Sequence, residues 1–183
     1  MRVIAGTLKG RRLKAPSWDG LRPTSDKLRE TLFNVLAPRM AGARVLDGYA
    51  GTGAVGIEAL SRGASAVTFV EQDRRAQTLI EENLEHCGIA TGYTMIRSDA
   101  LRALISLRGQ DIRFDLVLLD PPYNGSPDTE QVLTAAGELL TPDGLLVHEH
   151  ARRSAMPDAV GPLARIRQLV SGDSALTFYA RRL

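Results

Sequence analysis

The sequence predicts an α/β fold, a mostly parallel, doubly wound sheet that ends in a C-terminal antiparallel hairpin. Three observations carry this. From Ala43 onward, short apolar strands alternate with helical segments, the rhythm of consecutive βαβ units. The rhythm then changes: residues 164–170 alternate apolar and polar, 175–180 are strand-like, and Gly172-Asp173 lies between them. Finally, acids, glycines and prolines gather just after the predicted strands, at the edge of an open sheet where ligands bind.

Taken in order, residues 2–6 and 11–15 read as two short strands around a Gly-containing connection, a small β-hairpin. A loop over 16–23 carries the only tryptophan, Trp18. Thr24, Ser25 and Asp26 are N-cap candidates for a helix to about Leu36, because Leu28, Leu32, Val35 and Leu36 share one helical face. Pro38 and Gly42 are expected to close it. Strands follow over 44–46, 66–70, 93–96, 114–119 and 144–148. Helices are expected over 53–61, 74–87, 100–107 and 128–140, the second stopping at Gly88. The chain thus divides into a hairpin/helix extension over 1–42 and an α/β domain over 43–183.

Composition narrows the function classes. A hydrophobic content of 44% and a charged content of 24% in 183 residues suit a globule with a real core. No apolar run approaches the roughly 20 residues of a membrane span, and residues 1–6 lack a signal-peptide pattern. The single cysteine, Cys87, excludes an internal disulfide and a cysteine-built zinc site, and a cytoplasmic setting is the default. The net charge is only +2, but residues 1–44 carry +7 and the remainder −5. A basic first quarter with the dense cluster Lys9, Arg11, Arg12 and Lys14 points to a polyanion contact by one end of the molecule. A solvated charged surface is the plainer alternative.

The chemistry concentrates in two places. Phe114 to Leu119 is an apolar strand that stops at Asp120-Pro121-Pro122-Tyr123. Neither proline can donate a hydrogen bond, so a stiff corner forms at the strand end. Its carboxylate and a freed backbone carbonyl can accept from an exocyclic amine, and Tyr123 offers a stacking face. A mere Pro-Pro turn with a packed tyrosine fits the corner equally well. The second place is Asp47-Gly48-Tyr49-Ala50-Gly51-Thr52-Gly53-Ala54-Val55-Gly56, which joins a strand to a helix with glycines that let backbone approach a ligand. Glu71 ends the next strand, placed to accept ribose hydroxyls, and Asp99 follows the third strand, where it can accept from an adenine amino group. Helix capping is the plainer role for both acids. The loop also matches G-x-G-x-x-G, but an acid at the strand end would repel a pyrophosphate. A dinucleotide reading also leaves the Pro-Pro corner without a role.

These residues resemble a known family. Asp47-x-x-x-Gly51-x-Gly53 with Glu71, Asp99 and Asp120-Pro-Pro-Tyr123 is similar to class I S-adenosylmethionine-dependent amino-methyltransferases, which have a Rossmann-like sheet. More narrowly, the chain resembles the RsmD family, bacterial methyltransferases acting on a guanine N2 of small-subunit ribosomal RNA. The match includes Arg2-Val3-Ile4-Ala5-Gly6, the segment Leu21-Arg22-Pro23-Thr24-Ser25-Asp26, the helix Glu58-Ala59-Leu60-Ser61-Arg62-Gly63-Ala64, Glu149-His150 and Gly172-Asp173-Ser174. Gly48 stands where the family usually has Leu, Ser98 where Gly is common, and Ser171 where an aromatic is usual.

The resemblance implies S-adenosylmethionine as cofactor, held by Asp47, Tyr49, Gly51, Gly53, Glu71, Asp99 and Asp120, with no metal. It implies Asp120, Pro121 and Tyr123 as the groups that orient and stack the base, and Lys9, Arg11, Arg12, Lys14 and Arg22 as RNA contacts. The implied target is guanine 966 of 16S rRNA, free or within the assembled or assembling small subunit, and the implied state is a monomer. Adenine-N6 methylation of DNA and glutamine methylation of protein share the Pro-Pro-Tyr corner, although Asn usually replaces Asp in the glutamine enzymes. An RNA-binding module with an inactive methyltransferase fold is the non-enzymatic alternative. His148, Glu149 and His150 read as a polar strand end rather than a metal site, because no third partner stands at ligand spacing.

Overall fold

The computed structural model describes residues 1–21, 23–122 and 128–182. Its strands are β1 (Arg44–Asp47), β2 (Ala66–Val70), β3 (Tyr93–Ile96), β4 (Phe114–Leu119), β5 (Leu140–Ala151), β6 (Ala159–Val160), β7 (Leu163–Ser171) and β8 (Ser174–Arg181). They form one sheet in the order β3-β2-β1-β4-β5-β8-β7-β6. Strands β1 to β5 pair in parallel, whereas β8 joins β5 antiparallel and β7 and β6 continue antiparallel to the edge. The order reverses at β1, which lies between β2 and β4, so a ligand crevice belongs at the C-terminal ends of β1 and β4.

Helices α1 (Asp26–Met40), α2 (Ala54–Ser61), α3 (Arg74–His86), α4 (Ala100–Gly109) and α5 (Thr129–Glu138) cover the sheet. Successive strand residues point to opposite faces, and the burial follows that alternation. Val45, Leu116, Leu118, Val147 and Phe178 pack with α1, α2 and α3. Leu46, Val117, Leu119, Leu146 and Tyr179 pack with α4 and α5. Strands buried on both faces read as the continuous apolar runs seen in the sequence. No helix among the described residues is long and apolar enough to cross a membrane.

Several boundaries differ from expectation. Helix α1 does not close at Pro38 but runs to Met40. A proline this near the end deprives only the Asn34 carbonyl of its helical donor, and the buried Met40 side chain rewards the extra residues. Helix α5 stops at Glu138 instead of 140, and β5 starts at Leu140 instead of 144. Leu140, counted in the helical pattern, instead pairs with Phe114 ahead of an irregularity in the ladder. The two-residue strand β6 was not expected. The N-terminal hairpin is minimal, one antiparallel bridge between Arg2 and Arg12.

That N-terminal segment is bolted to the α/β unit by buried polar groups. Val3 and Leu13 belong to the same core as α1 and α2. The Glu58 carboxylate on α2 accepts from the backbone N–H of Ile4 (2.8 Å) and Ala5 (3.0 Å) and from Arg62 Nε (2.7 Å). Asn83 on α3 accepts from the Lys14 N–H (2.7 Å) and donates to the Lys14 and Thr52 carbonyls. The buried Arg29 on α1 donates to the Arg2 carbonyl (2.6 Å) and to Asp26 (2.8 Å). Gly6 has φ +85°, and a Cβ there would lie 1.9 Å from the Ser61 carbonyl oxygen, so only glycine permits this approach.

Candidate active site

The C-terminal ends of β1, β2, β3 and β4 and the stretch ahead of α1 meet over one cavity of about 1000 Å³. Its wall brings together Tyr49, Gly51, Glu71, Asp99, Asp120 and Pro121, with Trp18 and Thr24 contributed from ahead of α1. Arg75 lies over the Trp18 ring at 5.0 Å, a cation–π contact at the rim.

The loop after β1 is shaped by its glycines. Gly51 (φ +55°) and Gly53 (φ +79°) take the left-handed conformation that a side chain would strain, and Gly53 starts α2. The loop is tied to β2 by Glu71. One oxygen of this carboxylate accepts from the Gly51 N–H (2.9 Å) and the other from the Asp73 N–H (2.8 Å). This clamp fixes Glu71 at the cavity while leaving lone pairs on both oxygens. At Gly48 a Cβ would sit 2.4 Å from a terminal methyl of Leu119, so a side chain there requires Leu119 to rotate.

Asp47 ends β1 but lies behind the wall, buried, with Oδ2 accepting from the Gly56 N–H (3.1 Å). Burial pushes its carboxyl up to about 7; the Gly56 bond opposes this, and the charges of Asp120 and Glu71 add to it. Burial also raises the Tyr49 phenol, helped by Asp99 and Asp128. Asp99 caps α4 by accepting from the Arg102 N–H (3.0 Å) and still faces the cavity, so the capping and wall positions coexist.

Asp120 follows β4 directly. Its Oδ2 accepts from the Thr24 hydroxyl (2.8 Å). Burial raises the Asp120 carboxyl, and the Thr24 hydrogen bond and the neighbouring Glu149 oppose the rise. Sequence reasoning assigned Thr24 only as a cap candidate. Ser25 takes that role, accepting from the Leu28 N–H, and Thr24 is released toward Asp120. No local pattern signals a contact across 96 residues. Tyr123 and Arg22 lie outside the described residues.

The basic residues Lys9, Arg11, Arg12 and Lys14 are exposed on the N-terminal segment and do not line the cavity. Lys14 is paired with Glu82 on α3 (3.0 Å). His148 and His150 stack on each other with ring centroids 5.6 Å apart. His150 is hydrogen-bonded to the Thr177 hydroxyl (2.7 Å) and His148 lies 3.2 Å from the Met156 sulfur. Burial, aided by His150, lowers His148 to about 4, so it is neutral at physiological pH. Among the described residues no group of three or more His, Cys, Asp or Glu side chains is arranged to hold a metal ion.

A doubly wound sheet with an acid-walled cavity at its switch point and an Asp-Pro-Pro corner on the neighbouring strand defines a protein of the class I methyltransferase fold. The model for the family described as conserved hypothetical protein 95 matches residues 1–180, and the chain belongs to this family, the RsmD family. It is 39% identical over 184 residues to the YlbH protein of Bacillus subtilis, with both chains covered completely. It is 33% identical over 182 residues to the ribosomal RNA small subunit methyltransferase D of Escherichia coli K12, covering 99% of this chain and 90% of that one. Among solved structures, the yhhF protein of Escherichia coli superposes with a TM-score of 0.85 at 34% identity, covering 99% of this chain and 97% of that one.

Proposed function

We propose that this protein transfers a methyl group from S-adenosylmethionine to the exocyclic N2 of a guanine in small-subunit rRNA, guanine 966 of 16S rRNA. The observation that carries the reading is Asp120, gripped by Thr24 at a strand end and opening onto the cavity that Glu71 and Asp99 also wall. The residues present fit the cofactor. Glu71 is held to accept from both ribose hydroxyls, Asp99 to accept from the adenine amine, and the loop at Gly51 admits close approach. Asp47, buried just behind the wall, offers a carboxyl whose ionised form a cationic amino acid end would favour. A volume of about 1000 Å³ leaves room for a flat base beside it.

When bound, S-adenosylmethionine supplies an electrophilic methyl on a sulfonium. Asp120 and the Pro121 carbonyl accept hydrogen bonds from the N2 amine and turn its delocalised lone pair toward that methyl. Transfer would leave the C–S pair on sulfur and a positive charge on N2, which Asp120 would stabilise until the surplus proton passes to solvent. Tyr123 stacks the base, which must leave its RNA stack to enter. Lys9, Arg11, Arg12, Lys14 and Arg22 contact phosphates. Support comes from the family membership and from the name of the Escherichia coli relative.

The experiment supplies labelled S-adenosylmethionine with naked 16S rRNA or with small subunits from a strain lacking this activity, followed by mapping of the modified nucleotide. Asp120→Ala is expected to lower transfer by roughly 10²–10³-fold while S-adenosylhomocysteine affinity changes only a few-fold. Label in another nucleotide, in DNA or in protein overturns the substrate, and near wild-type transfer by the variant overturns the role of Asp120.

A further inference from the structure

Trp18, the only tryptophan of the chain, has no role in the reading above, yet it lines the cavity. It is half-buried, and Arg75 in the first turn of α3 covers its ring at 5.0 Å. Arg75 is itself held in place. Its Nε and one terminal nitrogen donate to the two oxygens of Asp73 at 3.2 and 2.7 Å, and its backbone N–H donates to Asp73 at 2.8 Å. The Asp73 N–H donates in turn to Glu71 at 2.8 Å. An unbroken run of contacts thus leads from Glu71, through Asp73 and Arg75, to the indole.

The stretch that carries Trp18 is also seated on the loop after β1. A Cβ built on Gly51 would lie 3.2 Å from a terminal methyl of Leu21, so Leu21 rests against this loop, and Glu71 accepts from the Gly51 N–H at 2.9 Å. Trp18 and Leu21 therefore converge on Glu71 by two routes, one through Arg75 and one through Gly51. Glu71 follows β2, Asp99 follows β3, and both wall the same cavity. The sheet edge supplies the polar acceptors there, and Trp18 adds a large aromatic surface from ahead of α1.

We propose that Trp18 is a cofactor-binding residue, whose ring, fixed by Arg75, closes the outer wall of the cavity over the adenosine end of S-adenosylmethionine. Arg75 is its positioning residue. This role rests on the cofactor reading above and extends it, because the segment ahead of α1 then takes a share in holding the cofactor. Indole offers a purine a broad apolar face, and the guanidinium against the ring keeps that face from turning out to solvent. The acceptors Glu71 and Asp99 fix the sugar and the amine, and the ring covers the surface they leave open.

With a single tryptophan in the chain, indole emission reports this site alone. The whole protein is titrated with S-adenosylhomocysteine, followed by calorimetry and by tryptophan emission in parallel. Emission is expected to be quenched with the calorimetric Kd, and the bound ligand to shield the indole from acrylamide. Trp18→Ala is expected to weaken S-adenosylhomocysteine binding about 10-fold, the scale of one lost base–aromatic stack, and Trp18→Phe to recover most of that loss. Arg75→Ala should weaken binding roughly 3-fold in the wild-type background and have no further effect on Trp18→Ala, because it acts through the ring. Calorimetric binding with unchanged emission and acrylamide access, or Trp18→Ala with wild-type affinity, overturns the proposal and leaves the cofactor reading standing. A phenylalanine variant as weak as the alanine one overturns the stacking role, and an Arg75→Ala loss that persists in Trp18→Ala overturns the positioning role. Absence of any calorimetric binding overturns the cofactor reading and the role of Trp18 with it.

Discussion

Asp47→Asn probes the electrostatic cost stored under the loop between β1 and α2. The carboxyl is buried, and burial pushes it from its ordinary 3.8 to about 7. The folded state therefore holds a proton that the unfolded chain has already released across that interval. The associated stability is fully present below pH 3.8 and is lost as pH rises through 7. About three pH units at ~1.36 kcal/mol each give roughly 4 kcal/mol, a large share of a domain's net stability. Asparagine keeps an oxygen to accept from the Gly56 N–H, which lies 3.1 Å from the carboxylate, and removes the charge. Urea unfolding of the unliganded protein at a series of pH values measures the effect. The variant's advantage over wild type should grow by about 4 kcal/mol between pH 4 and pH 8. A difference that stays flat across that range refutes the reasoning, because Asp47 then pays no penalty for ionising.

Glu58→Ala removes the acceptor for two backbone N–H groups and the partner of Arg62. Breaking such a buried pair costs about 3–5 kcal/mol, which lowers Tm by roughly 6–20 °C in a chain of this size. Limited proteolysis should then cut at Arg11 and Arg12, and a Tm within about 2 °C of wild type contradicts the anchoring role. Replacing Lys9, Arg11 and Arg12 together by Ala should leave S-adenosylhomocysteine affinity unchanged and weaken rRNA binding. The slope of log affinity against log salt should become shallower by about two, at about 0.7 per single-stranded phosphate contact; an unchanged slope places the RNA elsewhere.

The parallel sheet was legible because its signal is local. Strands buried on both faces are apolar runs, and the acids Asp47, Glu71, Asp99 and Asp120 fall at their ends by simple counting. What stayed hidden depends on partners far along the chain. Glu58, Asn83 and Arg29 sit at helical positions where polar side chains normally face water. Nothing nearby indicates that each is buried against backbone contributed by residues 2–14. Thr24 looks like any helix cap until Ser25 takes that place. Leu140 satisfies a helical pattern and a strand pattern equally, and tertiary pairing with Phe114 decides between them. Glu149 was visible as part of a polar strand end.

The bolting of the N-terminal segment has a consequence for how the molecule is made. Ile4 is secured by a residue 54 positions later, Lys14 by one 69 positions later, and Thr24 by one 96 positions later. During synthesis the basic segment leaves the ribosome ahead of the elements that hold it: α1 brings Arg29 to the Arg2 carbonyl, and α2, α3 and β4 follow in turn. It is immobilised in stages, from its own N-terminus toward α1, and the grip on Asp120 comes last. A cationic surface built this way stays a loose tail on the nascent chain, and the Asp120 corner is completed only once the sheet beneath it exists.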